Sequence, residues 1–577
     1  MELLAILVLQ LFLTALPMVA GAGLAALRGV RAAPVLIAVA LAAGAALAMM
    51  TFWAYFVSPS VGKVFSFSAV AGSAIGLGLA VRRPEVRRAL ITALTVPFAL
   101  WALGSAFLVL LGFAHGGLAT PIATATNRFT HLLPSDSEIP YFYVNAYDQG
   151  FDGRPPEFPG EWLSSDRPHL QTGYLLGHRV LEWGNPELSY QVGGVVLQQL
   201  WILGLWALLV ACVGRTTRAL VMAAALLSDL AITNGFFVWP KLLPTALLLA
   251  LAALVATKLL PRVRADWRGA ALAAALASLA MMGHGSSVFG ILALILVAVV
   301  RGWPSWRWLA VGAAVAALVM VPWTLYQQEV DPPGNRLPKW QLAGQVDVDD
   351  RSTGETVIDS YSKAGPEGVL DQKLANFEIM LGRGVDWYTP DPDAGKFENI
   401  VKERRAIAWY ALVPSAGLLL LGPLALLLGW RRSRDRPDDR TLALTSFGIA
   451  LIGAAFCGLL LWGPPAAMTT IHVGSMLVPM LLLCGSVAAL RAVAPRFAVA
   501  WVVLYALVQL VLYLPSFDPP AGTHYSPPVL LAAAASLAAY VGVLVAAARP
   551  PLRSRGGRLG RPAAARAGRH RHVAVDG

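Results

Sequence analysis

The chain has 577 residues, 57% of them hydrophobic and 14% charged, with a net charge of +12 and a mean hydropathy of +0.62. That balance lies far on the apolar side of an ordinary globular domain, which excludes a water-soluble enzyme and leaves a polytopic membrane protein. The three cysteines, Cys212, Cys457 and Cys484, fall in or beside apolar runs without metal-ligand spacing, so they read as small buried hydrophobes and exclude a disulfide framework.

A helix crosses the bilayer core with about 20 apolar residues, and such runs recur along the chain. Their cores lie at 4–25, 33–56, 65–81, 89–113, 192–212, 219–238, 241–260, 269–283, 287–300, 306–324, 406–429, 441–462, 466–490, 497–514 and 526–548, which predicts an all-α fold of about fifteen transmembrane helices. The first run has Glu2 and no Lys or Arg in its flank, so it reads as a retained helix rather than a signal peptide. The expected organisation is N-terminal helices in 1–113, a long loop 114–191, central helices in 192–324, a second long loop 325–405, C-terminal helices in 406–548 and a tail 549–577.

Short basic loops stay in the cytoplasm. The loops holding Arg28 and Arg31, Arg82 to Arg88, Arg215 and Arg218, Arg262 to Arg268, Arg301 and Arg307, Arg431 to Arg440, and Arg491 and Arg496 alternate along this span list. The intervening loops are poor in basic charge, and 114–191 and 325–405 join them by alternation. Both long loops, and the N-terminus, are therefore expected outside and the C-terminus inside. The tail accounts for much of the net charge, with Arg549, Arg553, Arg555, Arg558, Arg561, Arg566, Arg569 and Arg571 in a Gly/Ala/Pro-rich stretch. Such a segment suits anionic membrane lipids, and its lack of interleaved aromatics argues against a nucleic-acid partner. The Ala/Leu/Val/Arg/Gly-rich, Lys- and Asn-poor composition points to a GC-rich bacterial genome, and so to a bacterial plasma membrane.

Loops as long as these inside a compact membrane protein usually carry function. The first contains "SDSEIPY", with Asp136 and Glu138, and "SSDRPHLQTGY", with Asp166, Arg167 and His169. The second opens "DPPGNRLPKW", with Arg336 and Lys339. Two short turns fall on the same expected face: "FFVWPKLLP" places Lys241 at a helix start, and "MMGHGSSVFG" places His284 between glycines.

An acidic pair in an early outer loop just beyond a span, here Asp136 and Glu138 in "SDSE", with basic and aromatic residues on the same face, resembles the GT-C class of membrane glycosyltransferases. "WPK" and "HGSS" look similar to outer-face elements of bacterial members. The resemblance implies sugar transfer from a polyprenyl-phosphate-linked donor to a cell-envelope glycan or lipid acceptor outside the cell. In that class the acidic loop usually follows the first span; here it follows the fourth, implying three helices ahead of a common module that runs from the fourth span to about residue 340.

Such a transfer needs a base near the acceptor hydroxyl, stabilisation of the departing phosphate and a slot for the lipid. Asp136 is the first choice as base and Glu138 the second. The same carboxylates suit a divalent cation, Mg or Mn, with His169 or His284 completing the site. Arg336, Lys339 and Lys241 are the phosphate candidates, with Arg167 and Asp166 ranked below them. Each has a plainer alternative: Asp136 as a helix cap, Lys241 as a snorkelling anchor, His284 as a turn residue, Arg336 and Lys339 as lipid-headgroup contacts, and the loop tryptophans as interface anchors. Asp229, in the middle of the sixth run, favours a different class, a transporter or flippase of lipid-linked sugars or envelope polymer, because intramembrane acids are costly and usually functional. A third class is a non-catalytic assembly protein that docks through its outer loops.

Overall fold

The computed structural model describes residues 2–129, 135–159, 162–383, 386, 388–464, 472–517 and 524–549, with backbone only for Ser135 and Tyr410. The basic tail from residue 550 onward lies outside the described residues. Within them the chain is helical, and its one β-feature is an isolated bridge between Phe158 and Trp162.

Four long helices come first: α1 Glu2–Leu27, α2 Ala33–Val57, α3 Pro59–Val81 and α4 Pro84–Gly112. Proline in the first turn of α2, α3 and α4 removes an N–H that would have no partner there, and at α3 the Ser58 hydroxyl accepts from the Val61 N–H. The first long loop folds into α5 Pro121–Asn127, α6 Glu138–Gln149 and α7 Leu170–Arg179, and then α8 Pro186–Gln198 and α9 Trp201–Cys212 form one broken crossing. α10 Arg215–Leu226 and α11 Asp229–Phe237 make a bent apolar pair, followed by α12 Leu242–Val255, α13 Leu260–Ala265, α14 Trp267–Gly283, α15 Ser287–Val300 and α16 Trp306–Leu325. The second long loop holds α17 Arg336–Ala343, α18 Thr353–Met380 and α19 Lys396–Tyr410. α20 Leu412–Ala416, α21 Leu421–Leu428, α22 Pro437–Leu460, α23 Leu477–Val493, α24 Pro495–Tyr513 and α25 Pro527–Ala548 complete it.

Nine units among the described residues are long and apolar enough to span, or eleven if each bent pair counts as one. The bent pairs are α10–α11, at 52°, and α19 with α20–α21, at 110°. The other four apolar runs form helices of only 14 to 17 residues, α12, α14, α15 and α23. The expectation of about fifteen transmembrane helices is thus met in part. Hydropathy finds apolar stretches but does not see where a polar residue restarts a helix.

Burial orders the bundle. The α8–α9 unit has 83% of its apolar window buried, against 11% for α3 and 6% for α16, so the former is central and the latter two present apolar surface outward. Small residues permit the closest approaches, because packing in lipid rests on contact rather than on expulsion of water. A Cβ at Gly204 of α9 would lie 2.2 Å from the Ala246 carbonyl oxygen of α12, and one at Gly173 of α7 2.1 Å from that of Ala48 in α2. The second contact seats the first long loop directly on the bundle.

Candidate functional site

The two long loops and the central helices enclose a cavity of about 850 Å³. Its wall takes Asp136, Trp162, Asp166 and Arg167 from the first loop, Trp340 from the second, and Trp239, His284, Trp409 and His472 from helix ends. Met281, Val288, Met320 and Leu460 give another part of the wall an apolar surface. A small number of polar groups in a largely apolar concavity is the usual make-up of a ligand site.

Cations and indoles alternate along the polar wall. Arg336 lies over the Trp162 ring at 4.8 Å, and Arg167 over the same ring at 4.7 Å. Arg167 also lies over Trp239 at 4.7 Å, and Lys241 over Trp239 at 4.5 Å and Trp409 at 3.8 Å. Each face contact draws on the negative quadrupole of the indole, which steadies a desolvated cation. Two carboxylates complete the row: Asp136 accepts from Arg167 at 2.9 Å, and Asp166 faces Arg336 at 3.5 Å. Arg167 and Arg336 each face one of these carboxylates, and Lys241 adds a third basic side chain to the row. Burial raises the Asp136 carboxyl above its ordinary range, with Arg167 and Lys241 pulling it back. Burial likewise lifts Asp166 to about 6, against the Leu163 N–H it accepts from and the nearby Arg336 and Arg167.

Local sequence sets the Lys241 end of this row. Ser228 caps α11 by accepting from the Ala231 N–H, restarting the helix after α10, and α11 then ends at Val238 with φ +55. A left-handed β-branched residue is strained, and here its carbonyl accepts from Gln171 at 2.8 Å. Gln171 is held in turn by Gln198, whose Oε1 accepts the Leu242 and Leu243 N–H groups at the start of α12. The chain "DRPHLQ" thus positions both Arg167 and the Trp239–Pro240–Lys241 turn.

The sequence-derived candidates separate into those at the cavity and those away from it. Asp136, Asp166, Arg167, His169 and His284 line it. Lys241 and Arg336 are buried against the Trp239 and Trp162 rings just named, and Arg336 also donates to the Val346 carbonyl at 2.8 Å. Lys339 is not at the wall: it is buried and tied to the Asp349 carboxylate and carbonyl, which pins the 345–350 segment onto α17. Glu138 also stands away from the wall, where burial and the charge of Glu187 raise its carboxyl. His169 has both ring nitrogens engaged, Nε2 at 2.9 Å from the Ser164 hydroxyl and Nδ1 at 3.3 Å from Thr172, and its ring stacks on Phe52 at 4.6 Å. Burial brings it down to about 3, so it is a neutral histidine of an aromatic core.

These placements do not fit the expected divalent cation. Among the described residues no three His, Cys, Asp or Glu side chains come together as a ligand set. Asp136 is spent on Arg167, Glu138 points to other neighbours, and His169 has no nitrogen to spare. Asp229 is fully buried away from the cavity wall, accepting from Arg404 at 3.2 Å, Gln509 at 2.9 Å and Tyr513 at 2.7 Å. Its carboxylate is thus paired within the protein.

Sequence reasoning treated the tryptophans as interface anchors and passed over His472, whose ring lies 5.2 Å from Trp239 and 5.3 Å from His284. The available signal was "HVGSM", where Gly474, Ser475 and Met476 take φ values of +57, +42 and +63. No protein-family model, curated protein or solved structure matches this chain.

Proposed function

We propose that this chain is an integral membrane glycosyltransferase that moves a sugar from a polyprenyl-phosphate donor to a cell-envelope acceptor on the outer face of a bacterial plasma membrane. The observation that carries this reading is Asp136 at the cavity wall, bound to Arg167 at 2.9 Å within a row of basic side chains and indoles. In this reading all fifteen apolar runs cross the membrane, the shorter helices with help from their flanking turns, and both long loops lie outside.

The chemistry follows from the wall. The acceptor hydroxyl oxygen attacks the anomeric carbon, the bond from that carbon to the phosphate oxygen breaks, and polyprenyl phosphate leaves. Asp136 takes the hydroxyl proton; burial raises its carboxyl above the ordinary range, and a carboxylate of higher pKa is the stronger base. Arg167, drawn from Asp136 to the phosphate, and Lys241 behind it meet the charge of the leaving group. The apolar wall of Met281, Val288, Met320 and Leu460 receives the first prenyl units.

The test is radiolabel transfer from polyprenyl-phosphate sugars to envelope acceptors by purified protein in nanodiscs. Asp136→Asn keeps the volume and the capping ability of the side chain while removing the base and the charge that Arg167 pairs with. Transfer is expected to fall about 10²- to 10⁴-fold with donor binding retained. Near-normal transfer by Asp136→Asn would reduce Asp136 to a structural role and withdraw the mechanism.

A further inference from the structure

Among the described residues, none takes up the distal ring N–H of His284. In the turn between α14 and α15 the backbone N–H of Ser286 lies 3.2 Å from His284 Nδ1, and the Ser286 hydroxyl oxygen lies 3.0 Å from the same nitrogen. A backbone N–H can only donate, so Nδ1 accepts and the ring hydrogen resides on Nε2. Ser286 is fixed from the far side as well: its hydroxyl oxygen accepts from the Ser475 N–H at 3.2 Å, and its one hydrogen is shared between His284 Nδ1 and the His472 carbonyl, each at 3.0 Å. That clamp is built on the left-handed stretch from Gly474 to Met476. The turn thus holds one tautomer in one orientation. Among the described residues none accepts from Nε2, and the ring lines the cavity.

The ring is also uncharged. Burial, followed by the charges of Lys241 and Arg167, brings it down to about 3, so it stays neutral wherever those cations are charged. His472, the other imidazole against it, meets it edge-on at 5.3 Å. In the proposed function the phosphate is met by Arg167 and Lys241. A fixed, neutral donor is matched instead to an acceptor without charge, since charged acceptors gain most from charged donors.

We propose that His284 is a specificity-determining residue that donates its Nε2 hydrogen bond to an uncharged oxygen of the ligand, a sugar hydroxyl, while Arg167 and Lys241 serve the phosphate. This rests on the proposed function and assigns sugar recognition within it. A site built to hydrogen-bond a hydroxyl discriminates against ligands lacking one, because its own buried donor is then left unpaired.

The experiment compares wild type, His284→Asn and His284→Gln in nanodiscs, titrated with farnesyl phosphate and with farnesyl phosphates bearing glucose, mannose, galactose or arabinofuranose, and read by tryptophan fluorescence. Asn places a carbonyl oxygen where Nδ1 sits, so it keeps the acceptor for Ser286 but drops the distal donor. Gln carries an N–H to the Nε2 position. Wild type is expected to bind at least one sugar-bearing probe more tightly than farnesyl phosphate. His284→Asn should weaken that probe about 3- to 10-fold, the worth of one neutral hydrogen bond, and leave farnesyl phosphate unchanged, while His284→Gln recovers most of the loss. The effect should be equal at pH 5.5 and pH 7.5. Equal weakening of both kinds of probe, or no weakening, or a sugar-bearing advantage that survives in His284→Asn, would overturn the assignment while leaving the proposed function standing. Wild type that binds no farnesyl phosphate of either kind would sink the proposed function, and this inference with it.

Discussion

Arg167 stands between two acids, bonded to Asp136 and adding its charge to that of Arg336 at Asp166. Because Asp166 is buried and lifted to about 6, its ionisation is a liability that the two arginines offset only in part. A carboxyl whose folded pKa exceeds its unfolded value near 4 contributes stability that is fully present below about pH 4 and lost as pH rises through about 6. Thermal unfolding of wild type and Asp166→Asn from pH 4.5 to pH 7.5 measures this directly. Wild type should lose ground to the variant across that window, by up to about 3 kcal/mol, since each tenfold change in proton affinity on folding is worth roughly 1.4 kcal/mol. A constant difference would show that Asp166 ionises normally. Which residues gather at the cavity was partly legible, because Asp136, Arg167, Lys241 and His284 all sit in polar stretches flanking apolar runs. Their stacking on Trp162, Trp239 and Trp409 was not. Those pairs include Lys241 with Trp409, 168 positions away, and such contacts leave no periodic trace in sequence.

The two bent helix pairs meet at Asp229, and this junction carries the register of the site. Arg404 of α19 reaches Asp229 at the start of α11 and also donates to the Pro414 carbonyl at the second bend, while Trp409 Nε1 donates to Asn234 at 2.8 Å. These contacts hold the Trp409 ring against Lys241. Removing the carboxylate in Asp229→Ala strands donors from Arg404, Gln509 and Tyr513, and should destabilise the fold by about 3 kcal/mol, the scale for breaking a buried ion pair. Asp229→Asn keeps an acceptor and should cost less. Thermal unfolding of the two variants checks this; a fully stable Asp229→Ala protein would return the residue to a functional role. Straight helices were readable from hydropathy nearly to their ends, as at α2, predicted over 33–56 and found as Ala33–Val57. The bends were hidden, because Ser228 and Pro414 interrupt a helix without interrupting the apolar run around them.

At the scale of the whole molecule, the two long loops form parts of one cavity wall, Asp136 and Trp162 from the first and Gln327 and Trp340 from the second. Two segments that share a wall above a helical bundle emerge on the same side of it, which is independent of any charge rule. The side proposed above rests on arginine placement: Arg82, Arg83, Arg87 and Arg88 flank the α3–α4 turn, and Arg431, Arg432, Arg434 and Arg436 the α21–α22 turn, as expected of loops kept in the cytoplasm. Exposed positions are needed to test this, because a buried thiol stays silent on either side. Asp152 in the first loop, Gly354 near the start of α18 and Arg434 in the α21–α22 turn are all exposed. In a background without Cys212, Cys457 and Cys484, Asp152→Cys and Gly354→Cys should react with a membrane-impermeant maleimide added to intact cells, and Arg434→Cys only after lysis. Labelling of Arg434→Cys from outside, with the other two protected, would invert the protein and move the cavity to the cytoplasmic face. Labelling of Asp152→Cys but not Gly354→Cys would separate the loops, and a site built from both could not then exist as described.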